Sequence, residues 1–174
     1  NPMLVQWWWS ISNGCALHAA QTQALFMHSE RSFTLRRGLS SDVPLLRARL
    51  LREKMNPLAL DPPNFVVALN DARAEPVGFG QLRPLAASLS ELASLVVEPD
   101  HRGLGVGSTI VEELLRRTND TVVLLTLSGT RSFYLRLGFE ESQSLRLPPA
   151  LLAEYLVGSL VARVFASDGL IILA

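Results

Sequence analysis

Residues 95–108, LVVEPDHRGLGVGS, carry the residue types and spacing best suited to chemistry. A hydrophobic strand leads to Pro99, and a turn follows with Gly103, Gly105 and Gly107 separated by Leu104 and Val106. Residues 108–117, STIVEELLRR, then show helical periodicity. A helix N-terminus has unpaired N–H groups and a partial positive charge. Glycines let that backbone approach an anion closely. The stretch is therefore suited to a phosphate or pyrophosphate. A nucleotide P-loop is excluded, because no Lys follows the last glycine. The dinucleotide fingerprint is excluded too, because the third glycine comes one residue early. The bland alternative is an ordinary strand-to-helix turn that binds nothing.

Arg102-Gly103-x-Gly105-x-Gly107, after a strand ending Val97-x-Pro99, resembles the acetyl-CoA signature of the GNAT N-acetyltransferases. A second string, Ser132-Phe133-Tyr134-Leu135-Arg136-Leu137-Gly138-Phe139, resembles the Phe-Tyr-x-x-x-Gly-Phe element of the same family. The resemblance covers residues 33–146 and implies the GNAT acyl-CoA N-acyltransferase fold. It places Tyr134 beside the thioester sulfur as general acid. A phenol, with an ordinary pKa of about 10, can protonate a leaving thiolate without being ionised at neutral pH. The competing role for Tyr134 is core packing with Phe133 and Phe139. Glu91 is the implied base, acting through water, against the alternative of a solvated strand-end carboxylate. The backbone of Leu95, Val96 and Val97 is implied to pair with the pantetheine arm, with Phe133 nearby. The pyrophosphate falls to the N–H groups of Gly103, Leu104, Gly105, Val106, Gly107 and Ser108. Arg102 adds charge or braces the loop. An Asn that many members carry before the Phe-Tyr element is missing, leaving Ser128 or Thr130 in its place.

The implied activity is direct, ternary-complex transfer of acetyl from acetyl-CoA to a primary amine, without metal. The strings NPLALDPPNFVVALND and LLTLSGTRSFYLRLGF look similar to plant and algal plastid-type or cyanobacterial members. That likeness implies a protein lysine or N-terminal amine as acceptor, and an intracellular, plastid or cytoplasmic place. Two alternatives stay open: a small-molecule amine acetyltransferase, and a catalytically weak acyl-CoA-binding module. The expected loops at 54–63 and 83–91 are too poor in acids to suggest a polyamine.

The elements that must position these residues form a single domain with a mixed α/β sheet. The chain has 174 residues, 48% of them hydrophobic, with 16 basic and 16 acidic side chains. That balance gives no basic stripe for nucleic acid. One cysteine, Cys15, excludes an intrachain disulfide. His18, His28 and His101 are too scattered to suggest a metal site. No apolar run is long enough for a membrane-spanning helix. Asn1–Ser29 lacks any charged side chain and holds Trp7, Trp8 and Trp9 together. Residues 1–30 are set aside as a leader: a targeting remnant, a foreign extension or a disordered lead. The chain begins with Asn, which leaves room for a true N-terminus upstream. Residues 31–174 are assigned to the GNAT domain.

Alternation predicts strands at Phe33–Arg37, Phe65–Leu69, Val77–Leu82, Glu91–Glu98 and Thr121–Leu127. A helix is expected after a cap at Ser40, Ser41 or Asp42, with Pro44 in its first turn. Further helices are expected at 107–117 and Thr130–Leu137, the latter closed by Gly138. Phe139 should begin a strand. A last helix spans Ala150–Phe165, stopped by Gly169, with a terminal strand at Leu170–Leu173.

Overall fold

Strand pairing and two helix faces build the scaffold. A computed structural model of the chain describes residues 33–58, 60–141, 152 and 170–174. The strands are β1 (Phe33–Arg37), β2 (Phe65–Asn70), β3 (Pro76–Ala86), β4 (Leu89–Val97), β5 (Thr121–Leu127) and β6 (Leu170–Leu173). The helices are α1 (Val43–Arg52), α2 (Val106–Leu115) and α3 (Arg131–Leu135). The six strands lie in sequence order in one sheet. β2, β3 and β4 are antiparallel neighbours, β4 and β5 are parallel, and β5 and β6 are antiparallel. This is the expected mixed sheet. The expected leader and final helix lie outside the described residues. Of the strand expected from Phe139, Glu141 forms an isolated bridge with Leu173.

The two faces of the sheet carry different helices. Leu46 and Leu50 of α1 pack with Phe65, Val67, Phe79 and Val96 in a fully buried cluster. α2 crosses the opposite face over Gly78 and Gly80 of β3. An added Cβ on Gly80 would lie 3.1 Å from Ile110 Cγ2, 3.2 Å from Leu95 Cδ1 and 3.3 Å from Leu114 Cδ1. These two glycines therefore set how closely α2 approaches the sheet. Gly80→Val is expected to cost about 1–3 kcal/mol through overpacking. The check is a lower urea midpoint with an unchanged slope.

Three local expectations are corrected. No residue from Ser40 to Asp42 caps α1 through its side chain; the three form a 3₁₀ turn instead. Asp42 turns back, accepting Arg36 Nη1 and Nη2 at 2.7 and 2.8 Å and the Leu39 N–H at 2.7 Å. The supposed loop at 83–91 is a hairpin, with Arg83↔Glu91 and Pro84↔Ser90 in register and Ser88 at the tip with φ 57°. Pro84 is tolerated there because β2 pairs with β3 only as far as Gln81, so its missing N–H breaks no β2 ladder. The helices also end earlier than expected, at Leu115 and Leu135.

The Arg36 hydrogen bonds hold the Asp42 carboxyl below its usual range, against the opposing effect of burial. A carboxylate with a depressed folded value adds stability above its unfolded pKa of about 3.9. It loses that contribution as pH falls through the folded value. Asp42→Asn is therefore expected to cost about 1–2 kcal/mol at neutral pH, discounted for the exposure of Arg36. The gap between the two proteins should shrink below about pH 4. Urea unfolding across a pH series measures it.

Candidate active site

β4 and β5 pair at only three positions: Leu89↔Thr121, Ser90↔Val122 and Glu91↔Val123. Both strands continue, to Val97 and Leu127, without each other as partners. The sheet is thus opened between them on the side where the glycine turn and α3 lie. β4 also carries a bulge at this opening. Phe79 faces Val96 while Gln81 faces Ala93, so β4 spans the same stretch with one extra residue. Ser94 takes φ 57° there, and Gln81 Nε2 donates to its Oγ at 3.0 Å.

The Glu98 N–H donates to Val77 O, which fixes the alternation of β4 after the bulge. Val96 turns its backbone to β3. Leu95 and Val97 turn theirs to the open side. Of the three residues expected along the pantetheine arm, Leu95 and Val97 thus present their backbone groups on the open side, while Val96 spends its own on β3. The Val97 carbonyl accepts Arg102 Nε at 2.9 Å. Arg102, 54% exposed, also approaches Glu53 at 3.5 Å, so it braces the turn. Glu98 pairs with both Arg49 and Arg52 of α1, fixing the strand exit from the other side.

The glycine turn has the geometry of an anion cradle. Gly103 and Gly105 have φ 76° and 82°, and a Cβ added to either meets nothing within 4 Å. Gly105 caps α2, whose first i→i−4 bond runs from Thr109 N to Gly105 O at 3.0 Å. The N–H groups of Val106, Gly107 and Ser108 precede that bond. No side-chain cap and no acidic residue occupies the first turn. Leu104 is exposed, whereas the Val106 side chain is core, so Val106 offers backbone only. Phe133 closes over the start of α2: a Cβ on Gly107 would lie 3.4 Å from Phe133 Cζ and 3.5 Å from Val97 Cγ2. One ring thus ties the two motifs together at the end of β4.

α3 ends in a Schellman motif. The Phe139 N–H bonds Tyr134 O, the Gly138 N–H bonds Leu135 O, and Gly138 has φ 91°. That turn folds Phe139 back onto Tyr134, ring centroids 5.9 Å apart and edge-on. Phe133 meets Tyr134 from another side at 4.9 Å. Tyr134 is left 9% exposed. Burial raises its pKa to about 12, with a smaller opposing effect from a hydrogen bond with Thr126 of β5. Thr130 donates to Leu127 O at 2.8 Å, and its hydroxyl lies 2.5 Å from that of Thr126. Thr130 thus braces the end of β5 and the hydroxyl that meets Tyr134. The phenol sits beside β5 past the point where β4 and β5 part.

Glu91 is not the solvated strand-end carboxylate of the alternative reading. It is 4% exposed, and Arg83 Nε donates to its Oε2 at 2.9 Å, with Arg83 Nη2 on the same oxygen. Its charge faces the Arg83 guanidinium. Arg83 and Gln81 line an open cleft of about 460 Å³ with Leu58, Leu60, Asp61, Asn64 and Pro84. Sequence reading missed Arg83, Gln81, Ser94 and Thr126. The first three act through partners on another strand, and Thr126 through the 3₁₀ turn and α3 that follow its own strand, so none leaves a sequence motif. Among the described residues, no cluster of His, Cys, Asp or Glu could hold a metal ion, and no helix is long and apolar enough to cross a membrane.

A sheet parted between parallel strands, a glycine cradle and a phenol at the gap define an acyl-CoA N-acyltransferase. The chain belongs to the GNAT acetyltransferases: the family model described as an acetyltransferase (GNAT) domain matches residues 61–141. It is similar to the amino-acid acetyltransferase of Mycobacterium tuberculosis (strain ATCC 25618 / H37Rv), 30% identical over 118 residues, 62% of this chain and 68% of that protein. Rv2747 of Mycobacterium tuberculosis, solved in complex with CoA and NLQ, is similar at 25% identity and TM-score 0.62, covering 80% of this chain and 97% of that one. N-acetylglutamate synthase of Neisseria gonorrhoeae, complexed with coenzyme A and N-acetyl-glutamate, shares the fold at 19% identity and TM-score 0.60. That match covers 80% of this chain and 34% of that one. The protein is an acyltransferase of the GNAT fold that uses acetyl-CoA.

Proposed function

We propose that the protein acetylates the α-amine of a free amino acid. The similarity to an amino-acid acetyltransferase over 68% of that protein carries this reading. The protein lysine or N-terminus expected from sequence finds no support among these relatives, and the small-molecule alternative replaces it. The cleft of about 460 Å³ beside β3 suits a ligand of amino-acid size.

In this reading acetyl-CoA lies along the open edge of β4, held by the backbone of Leu95 and Val97. Its pyrophosphate takes the N–H groups at the start of α2. The amine attacks the thioester carbonyl from the cleft side. Negative charge develops on the carbonyl oxygen, and a β4 backbone N–H at the bulge stabilises it. The carbon–sulfur bond breaks, and Tyr134 gives its proton to the departing thiolate. The attacking nitrogen releases a proton to solvent, and Tyr134 regains one. In a free amino acid the adjacent carboxylate holds the α-ammonium above the value of about 8 of a chain terminus, so the amine sheds its proton before it attacks.

The test is CoA release, with product mass, from acetyl-CoA and separate pools of free amino acids and peptides bearing α-amines or lysines. Acetylated free amino acids are the expected product. Turnover confined to peptides would overturn the proposal.

A further inference from the structure

We infer that the Ser94 side chain is a further catalytic group: its hydroxyl donates to the thioester carbonyl oxygen of acetyl-CoA, and that bond strengthens as the oxygen becomes charged. This goes beyond the amino-acid reading, since it concerns the acetyl donor and holds for any amine acceptor.

Ser94 is buried, 9% exposed, and held at φ 57° on the β4 bulge. Glycine adopts such a φ without strain, whereas this position keeps a side chain. Backbone strain of this kind collects at functional sites. Gln81 Nε2 donates to Ser94 Oγ at 3.0 Å. That bond fills one lone pair of the hydroxyl and leaves its own proton to donate. Among the described residues, no acceptor is in place for that proton. Gln81 belongs to β3, and β3 and the opening lie on the two sides of β4. The proton turned away from Gln81 is therefore turned away from β3, towards the opening. The last β4–β5 pair is Glu91↔Val123. Ser94 and Thr126 each follow that pair by three residues, so they stand at one level on the two sides of the opening. Thr126 meets the Tyr134 phenol. The serine hydroxyl and the phenol thus flank the same part of the gap.

The two ends of the thioester need different groups. The carbon–nitrogen bond forms as the amine attacks, and the carbonyl π pair moves onto oxygen. That pair returns when the carbon–sulfur bond breaks, and the sulfur takes the proton of Tyr134. The sulfur therefore needs an acid, whereas the oxygen needs donors that keep their protons. A neutral hydroxyl is such a donor. The β4 backbone N–H at the bulge supplies one hydrogen bond, and Ser94 Oγ supplies a second. Because Gln81 already holds the hydroxyl oxygen, the donor is oriented before charge appears and need not reorganise. A donor aimed in this way stabilises the charged oxygen more than the uncharged carbonyl, so it acts on turnover more than on binding.

The closing experiment uses Ser94→Gly, because glycine takes φ 57° freely and only the side chain is lost. Infrared difference spectra of bound acetyl-CoA, labelled with carbon-13 at the carbonyl, report the hydrogen bonds at that oxygen. The carbonyl stretch should move to higher frequency in the variant. This band needs no amine, so the test stands apart from the acceptor reading. With an amine that the wild-type protein acetylates, kcat should fall about tenfold to hundredfold while Kd for acetyl-CoA stays within about threefold. The urea midpoint should change little, because relief of the left-handed φ offsets the lost bond to Gln81. Should Ser94→Gly not fold, Ser94→Cys, similar in size and a weaker donor, gives the same comparison. An unshifted carbonyl band, or a kcat within about twofold of wild type, overturns the role of Ser94. Equal losses of kcat and of acetyl-CoA affinity make Ser94 structural and overturn it as well.

Discussion

Replacing Tyr134 with Phe is expected to lower kcat by about a hundredfold to ten-thousandfold, the usual range for losing a positioned general acid. Affinity for acetyl-CoA should stay within about twofold. The reasoning is geometric. The ring is in T-shaped contact with Phe133 and with Phe139, so a phenyl group keeps those contacts. Only the hydroxyl goes, with its bond to Thr126. The raised pKa of about 12 adds a second readout. A buried phenol that high stays protonated through the neutral and mildly alkaline range. The pH profile of kcat should therefore show no falling limb from Tyr134 until close to that value. Stopped-flow thiol detection and calorimetric titration of acetyl-CoA separate the two quantities. Equal loss of turnover and affinity would make Tyr134 a packing residue.

Gly105→Glu is expected to weaken acetyl-CoA binding by more than about a hundredfold, or about 2.7 kcal/mol. Two effects combine. At φ 82°, any side chain strains the cap of α2, at a cost of about 1–2 kcal/mol. A carboxylate at this helix start also opposes the pyrophosphate it should receive. A Cβ at Gly105 meets no protein atom within 4 Å, so the added group projects where a ligand would lie. Gly105→Ala isolates the strain, and its affinity should fall far less. Calorimetry with acetyl-CoA, beside a thermal melt of each variant, measures both. Retained tight binding in Gly105→Glu would remove this turn from the site.

Much of the donor side was legible because its signals are local. Glycine spacing writes the start of α2, and Gly138 writes the Schellman turn that folds Phe139 onto Tyr134. The acceptor side was not legible. Its cleft is formed where the loop after α1 meets the β3–β4 hairpin, and that hairpin hides behind Pro84 and a run of small residues. The Arg83–Glu91 pair follows from cross-strand register, which no single segment encodes. The bulge at Ser94 was equally silent. SELASLVV reads as a plain strand, and only the count of partners on β3 reveals the extra residue. The relatives favour the small-molecule alternative over the protein acceptor first expected, since likeness in the cofactor strings says little about residues that bind the amine.

One extra residue in β4 turns a single strand into two readers. Before Ser94, Glu91 and Ala93 look towards the α1 face, where the cleft lies. After it, Leu95 and Val97 look towards α2. The parity change lets each half of the strand drift in sequence without disturbing what the other half recognises. New acceptors can thus be tried on one side of the sheet while the nucleotide end is inherited unchanged. Removal of Ser94 would restore plain alternation, leave Leu95 and Val97 on the α2 face, and take away the bend and the hydroxyl that Gln81 holds.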